Sequence, residues 1–350
     1  MRKEEIIIYI PNFSGGGTER FFTQFALSLS KLKKYQITYF YSVDLENTNF
    51  SKKPYINFKK TKSKRATLAF FEILFLSWIK RYSLIITAQN NPNVLFSYFR
   101  FLLPKRIKLI ISEQTATDLA LKDSKLITSK FINKLISFSY KNADYVHCIT
   151  DRSAALLIDK YKVPKEKTIV IPYYVDFSLI DKNSKLKFFC ENFDKNFLES
   201  KFIVSMGRLH SQKGYQFLID AFSTIAHKIP HNLVIIGDGS QMHILKKQVK
   251  TFSLENRVLF TGYLKNPYPI IKKADLFVIS SLYEGLSLAL IEAISLGIPI
   301  LSSDCPFGPR EILGEEYEDL LYQPLNSLAL SKLIIQQLKN PKKIPTDHIK

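Results

Sequence analysis

The sequence is short of cysteine, of acid and of any apolar run long enough to cross a bilayer, and each shortage excludes something. Its three cysteines, Cys148, Cys190 and Cys305, are odd in number and widely separated in a chain of 350 residues. That pattern suggests neither a disulfide framework nor a cysteine-based zinc cluster, and it fits a reducing cytoplasm. The amino terminus, "MRKEEIIIYIPN", lacks an apolar h-region and a small-residue cleavage site, so it reads as a first strand rather than a secretory signal. The most apolar stretch, "ATLAFFEILFLSWI" (Ala66–Ile79), is too short to span hydrocarbon and contains Glu72; no transmembrane segment is expected. Acid is scarce: 31 Asp and Glu face 50 Lys and Arg, for a formal charge of +19. The imbalance is uneven, with 29 basic against 14 acidic residues in 1–180 and 21 against 17 in 181–350. The first half therefore looks for an anionic surface. Anionic lipid suits it, each nearby lysine contributing roughly 1 kcal/mol. Nucleic-acid phosphates are the rival partner of "KKPYINFKKTKSKR", and a plain solvated loop is the third reading.

What is present is the composition of a globular protein, 46% apolar and 23% charged, long enough for two domains with separate cores. Strand-like runs such as "EIIIYI", "QITYFYS", "SLIITAQ", "IKLIISE" and "DYVHCIT" alternate with amphipathic helical stretches, which argues for parallel sheets wrapped by helices. After an irregular patch near residues 175–200 the pattern restarts with "FIVSMGR", "LVIIGDG", "RVLFTGYL" and "DLFVISS". In "GYQFLIDAFSTIAHKI" the residues Phe217, Leu218, Ala221, Phe222, Ile225, Ala226 and Ile229 recur as one buried helix face. Two doubly wound domains would enclose a cleft, with ligands at the carboxyl ends of the strands.

Four segments carry candidate chemistry. "NFSGGGTERFF" follows the first strand, and its glycines Gly15, Gly16 and Gly17 would let backbone approach a ligand at a helix start. "SMGRLHSQKGYQFL" places Arg208 and Lys213 around the turn between a strand and a helix, two cations suited to a diphosphate. "LVIIGDGSQMHIL" has the wrong spacing for a dinucleotide fingerprint and fits any strand-to-helix connection. "YEGLSLALIE" is the most informative: Glu284 falls on a turn after a buried strand, Ser287 is a plausible N-cap, and Glu292 lies inside an apolar helix running to Gly297. Glu284 could serve the helix dipole; Glu292 has no such reason to be there, and a glutamate on so apolar a helix is paired or functional.

The combination resembles the retaining glycosyltransferases of family four, which have the GT-B fold, two Rossmann-like doubly wound domains facing across a cleft. Glu284 and Glu292 match that family's E-x7-E motif, Arg208 and Lys213 its paired cations, and Gly15 to Glu19 its glycine-rich first loop. The resemblance implies an acceptor-binding domain over 1–180, a nucleotide-sugar domain over 181–330 and a terminal helix or tail over 331–350. It implies that Lys213 and Arg208 hold a diphosphate, that Glu284 sits beside the donor sugar and that Glu292 binds ribose hydroxyls. Leu286 and Ser287 would offer backbone N–H groups next to Gly285, the turn at Gly262 and Tyr263 would lie beside the base, and Gly16 and Gly17 would line the donor. A carboxylate can accept two hydroxyls at once, and with phosphate charge met by protein cations no metal or other cofactor is expected.

"SSDCPFGPREIL" would shape the cleft wall through Pro306, Gly308 and Pro309, with Arg310 or Glu311 reaching toward the acceptor. Where many relatives carry a histidine after a first-domain strand, "IISEQTATDL" offers Glu113 and Gln114; His147 and His210 read as packing or surface residues. The expected function is transfer of a hexose or N-acetylhexosamine, with retention, from a UDP-sugar to a lipid-linked or lipopolysaccharide acceptor at the cytoplasmic face of the inner membrane. Nucleic acid is not expected as a partner, since the sequence lacks the interleaved aromatic and basic pattern of known binding modules. Another GT-B-like enzyme, such as a nucleotide-sugar epimerase, is the alternative.

Overall fold

The structure, a computed structural model, describes residues 3–11, 17–43, 55–114, 129–187, 197 and 199–349. The chain divides into two compact units, Met1–Tyr174 and Val175–Lys350. The division comes slightly before residue 180, and residues 331–350 belong to the second unit rather than standing apart.

In the first unit β1 (Glu4–Tyr9), α1 (Gly17–Lys31), β2 (Tyr35–Tyr41), β3 (Ile56–Lys60), α2 (Ala66–Ile79), β4 (Tyr82–Ala88) and α3 (Asn90–Tyr98) are followed by β5 (Lys108–Glu113), α4 (Ser129–Asn142), β6 (Tyr145–Cys148), α5 (Asp151–Asp159) and β7 (Thr168–Val170). The seven strands are parallel in the order β3-β2-β1-β4-β5-β6-β7. Strand alternation divides the core in two. Ile6 and Ile8 face Phe22 and Ala26 of α1, while Ile7 and Tyr9 face Phe70, Phe96 and Tyr140 of α2, α3 and α4. Part of the basic segment, for which a plain solvated loop is one of three readings, is β3, an edge strand whose exposed Lys59 and Lys60 discourage further pairing.

The second unit runs α6 (Phe177–Ser184), β8 (Phe202–Met206), α7 (Tyr215–Ile225), β9 (Asn232–Ile236), α8 (Met242–Thr251), β10 (Val258–Gly262), α9 (Tyr268–Lys273), β11 (Leu276–Ile279), α10 (Leu288–Ser295), β12 (Ile300–Ser303), α11 (Pro309–Leu313), β13 (Leu321–Tyr322) and α12 (Ser327–Lys339). Its six parallel strands are ordered β10-β9-β8-β11-β12-β13. The α7 face read from periodicity is buried at Leu218, Ala221, Phe222, Ile225 and Ala226, but Phe217 and Ile229 are only partly covered. Tyr215 and Ile219 are buried as well, because α8 and α12 both pack against α7. Leu330, Ile334 and Ile344 from the terminal segment complete this core.

Both sheets grow outward from a central strand in one direction and then resume on its other side. The strand order reverses between β1 and β4 in one unit and between β8 and β11 in the other, and such switch points open a crevice at the carboxyl ends of the strands.

Candidate functional site

At the second unit's switch point the chain leaves β8 at Gly207, makes a short turn over Ser211–Lys213, and enters α7 through Gly214. Gly214 has φ 60°, and a Cβ there would stand 2.1 Å from the Ser280 carbonyl oxygen, so only glycine lets this turn lie against the end of β11. Three further bonds fasten the two segments: Ser280 Oγ donates to the Lys213 carbonyl at 2.8 Å, Leu282 N–H to the Gln212 carbonyl at 2.7 Å, and Gln212 Nε2 to the Tyr283 carbonyl at 2.9 Å.

That stitching brings Lys213 Nζ to 2.6 Å from Glu284 Oε1, which also accepts from Ser281 Oγ at 2.6 Å. Glu284 is 5% exposed, and Lys213 retains partial access to solvent, so the cation forms the outward side of the pair. Glu284 does not cap a helix; it is a buried acceptor with a cation in front of it. Tyr215 sits behind the pair, where burial pushes its phenol upward, a hydrogen bond with Ser205 opposes, and the Glu284 charge adds to the rise.

The connection after β9, read as an ordinary strand-to-helix turn, has a task that its spacing did not disclose. A Cβ on Gly237 (φ 138°) would lie 2.0 Å from the Gly207 carbonyl oxygen. The bare backbone instead lets Leu209 N–H donate to the Asp238 carbonyl at 2.9 Å and Gln241 N–H to the Leu209 carbonyl at 2.9 Å. Exposed Arg208 is thereby carried on a loop clamped from below. Exposed His210 accepts from Gln212 N–H at 3.3 Å, a local cap of its own turn.

Glu292 is 1% exposed and accepts from the Tyr268 hydroxyl at 3.2 Å; nothing in the sequence around Tyr268 marks it, since only the fold brings α9 beside α10. Ser287 occupies the N-cap position of α10 without capping it, and its buried hydroxyl has no hydrogen-bond partner among the described residues. Helix α10 ends at Ser295, short of Gly297. Gly308 approaches this turn closely, its notional Cβ 3.0 Å from the Gly285 carbonyl and 3.3 Å from the Leu286 Cα, so this segment packs against the turn. Arg310 is engaged with Asp304, through Nε at 3.0 Å and Nη2 at 2.5 Å, and Glu311 accepts from Gly308 N–H at 2.8 Å. Gly262 ends β10 and accepts from Gly237 N–H at 2.9 Å; Tyr263 beyond it is exposed. Cys305 lies nearby, but burial pushes its thiol up to about 12, with Glu284 adding, so it supplies no thiolate.

In the first unit Gly15 and Gly16 lie outside the described residues, and Gly17 opens α1. Glu19, buried in the first turn of α1, accepts from Gln89 Nε2 at 3.4 Å across the β1/β4 switch point. Gln89 holds φ 77°, a conformation uncommon outside glycine. Glu113 and Gln114 are separated by strand alternation: Glu113 turns into the core, where Tyr140 donates to it at 2.5 Å, while Gln114 joins a neutral relay on the other face. There Tyr173 donates to Gln114, Gln114 to Ser112, Ser112 Oγ to His147 Nδ1 at 2.6 Å, and His147 Nε2 to the Ile171 carbonyl at 2.8 Å. His147 is buried, and desolvation lowers its pKa against the Ile171 hydrogen bond.

Comparison with known proteins gives the following. The family model described as Glycosyl transferases group 1 matches residues 190–348, and that described as Glycosyltransferase Family 4 matches residues 15–179. An uncharacterized glycosyltransferase of Methanocaldococcus jannaschii is 33% identical over 271 residues, 73% of this chain and 65% of the relative. The Campylobacter jejuni N-acetylgalactosamine-N,N'-diacetylbacillosaminyl-diphospho-undecaprenol 4-alpha-N-acetylgalactosaminyltransferase is 26% identical over 72% of this chain and 66% of its own length. The chain thus spans just under two thirds of these two relatives. The crystal structure of Anabaena HepE in complex with UDP and glucose superposes with a TM-score of 0.77 at 18% identity, over 99% of this chain and 91% of that one, a likeness of fold.

Proposed function

We propose, since the chain belongs to the family 4-type glycosyltransferases of GT-B fold, that it moves a hexose or N-acetylhexosamine from a UDP-sugar to a lipid-linked oligosaccharide or lipopolysaccharide acceptor, with retention. The Lys213–Glu284 pair at the β8/β11 switch point carries the reading. A buried carboxylate held by one cation is a site waiting for a competing anion. A donor diphosphate takes Lys213 Nζ and Arg208, and Glu284, released from its cation, accepts hydroxyls of the donor sugar. The unpartnered Ser287 hydroxyl at the head of α10 offers a further donor to phosphate. Glu292 takes the ribose, and the exposed Tyr263 ring beside Gly262 stacks on the base.

Stabilising the leaving diphosphate is then the main catalytic contribution. The departing phosphate itself accepts the acceptor's proton, so that neither a covalent nucleophile nor a metal ion is called for. A lipid-linked acceptor is supported by the diphospho-undecaprenol named for the Campylobacter relative, and an enzyme using such an acceptor works peripherally, at the cytoplasmic face of an anionic inner membrane. Incubation of the purified protein with UDP-sugars and a polyprenyl-diphosphate saccharide tests the reading, with proton NMR of the product for anomeric configuration. Transfer with an α-linked product from an α-linked donor is expected. Absence of both transfer and thermal stabilisation by any UDP-sugar would overturn it; a bound donor in hundredfold excess over its Kd should add about 2.7 kcal/mol.

A further inference from the structure

Helix α2 is apolar on two opposite sides. Ala69, Phe70, Ile73 and Ser77 face the sheet. Leu68, Phe71, Phe75, Trp78 and Ile79 point away from it, 53%, 57%, 66%, 61% and 64% exposed, and at 100° per residue they occupy an arc of about 100°. Phe101, 75% exposed, extends the ridge beside Trp78, whose Nε1–H donates to the neighbouring Leu102 carbonyl at 3.1 Å. A helix apolar all round belongs in a core or in lipid, and here only one side has a core. We infer that the outer face of α2 is a membrane-insertion ridge, lying in the plane of an anionic bilayer with its side chains among the upper acyl chains.

Three observations favour a bilayer as the occupant. The ridge takes no unsatisfied donor into hydrocarbon, because the Trp78 indole N–H is already bonded to protein. Its one acid, Glu72, accepts the Lys62 backbone N–H at 2.8 Å. Exposed cations stand at both ends, Lys62, Lys64 and Arg65 before the helix and Lys80, Arg81 and Arg106 at its close. Arg106 Nη2 donates to the Ser77 and Lys80 carbonyls at 2.6 and 2.8 Å, covering the polar helix end with positive charge. A second copy of the chain would set these like charges against each other; anionic headgroups neutralise them while the ridge enters the layer. At 14 residues the helix is about 21 Å long, enough to lie along a leaflet and too short to cross it.

The inference rests on the peripheral-membrane reading and adds that hydrocarbon contact at this ridge, besides charge, holds the protein there. Trp78 is the sole tryptophan, so its fluorescence reports on this face alone. With vesicles of phosphatidylglycerol and phosphatidylethanolamine we expect co-flotation, a blue shift, quenching by lipids brominated on the acyl chains, and loss of quenching by aqueous acrylamide. The double variant Phe71→Glu, Phe75→Glu should bind at least tenfold more weakly while its transfer to a water-soluble acceptor is unchanged. Flotation with Trp78 still open to acrylamide, or undiminished flotation of the double variant, overturns the ridge and leaves the membrane reading standing. No flotation on any vesicle overturns both. A blue shift that follows protein concentration without lipid assigns the ridge to a second copy and overturns the inference.

Discussion

The two units share a strand order and differ in what they keep at the place where it reverses. Between β8 and β11 the structure holds opposite charges, Lys213 and Glu284 at 2.6 Å with Arg208 on a clamped loop. Between β1 and β4 the described residues place Glu19 and Gln89 together at 3.4 Å, and the nearby strand ends carry the uncharged chain of Tyr173, Gln114, Ser112 and His147. A charged pair that a ligand must part is suited to gripping a diphosphate. A neutral relay such as the one among the described residues offers no charge for an anion to displace. The sheet supplies the crevice in both cases, and on the proposed reading side-chain charge decides which one takes the anion.

The contrast breaks most visibly at Lys213. Lys213→Met is expected to lower kcat/KM about 100- to 1,000-fold, the loss typical of a donor aimed at developing charge, with the circular dichroism spectrum unchanged. Gln89→Ala in the other unit should cost less than tenfold. Equal losses would mean that the two switch points do not divide the work. Next in size is Gly214→Ala, whose Cβ would stand 2.1 Å from the Ser280 carbonyl oxygen at φ 60°. Left-handed strain together with the clash should cost about 2–4 kcal/mol, read in a urea titration. Retention of wild-type stability would show that the turn carrying Lys213 can relax elsewhere.

Legibility in the sequence followed the same division. Strands such as "FIVSMGR" and "DLFVISS" stood out because β-branched runs ending at small residues leave few other readings, and Glu284 with Glu292 stood out because acid is conspicuous in an apolar segment. Gly237, Tyr268 and Ser280 were not legible as site residues. Their roles are contacts between separate connections of one sheet, and nothing in their own neighbourhood marks them. Edge strands β3, β7 and β13 were missed for a different reason: being short or lysine-flanked, they lack the apolar run that marks a central strand. The relay of the first unit was illegible because it depends on strand alternation, which sets Glu113 on one face and Gln114 on the other.

Smaller effects test whether the first unit's polar groups serve stability. Tyr140→Phe removes the hydroxyl that donates to buried Glu113 at 2.5 Å and should cost about 1–2 kcal/mol, with donor binding unchanged in a calorimetric titration. A change in donor affinity instead would connect Glu113 to the site.

His147 should give the slightest signal. Its Nε2–H is committed to the Ile171 carbonyl and its Nδ1 accepts from Ser112; a proton on Nδ1 would face a hydroxyl that already takes the Gln114 amide hydrogen. Burial holds the folded pKa below the ordinary 6.5. The unfolded chain therefore binds the proton first as pH falls. Stability contributed by the neutral ring is complete above about pH 6.5 and is lost progressively below it, down to the folded pKa. His231 in the second unit is shifted the same way by desolvation, although Asp275 at 3.7 Å opposes the shift. His147→Gln should therefore flatten the acid-side slope of stability without abolishing it, the remainder belonging to His231. An unchanged slope in urea melts between pH 5 and 7.5 would mean that the relay accommodates a charged ring, and that the first unit is less committed to neutrality than its hydrogen bonds indicate.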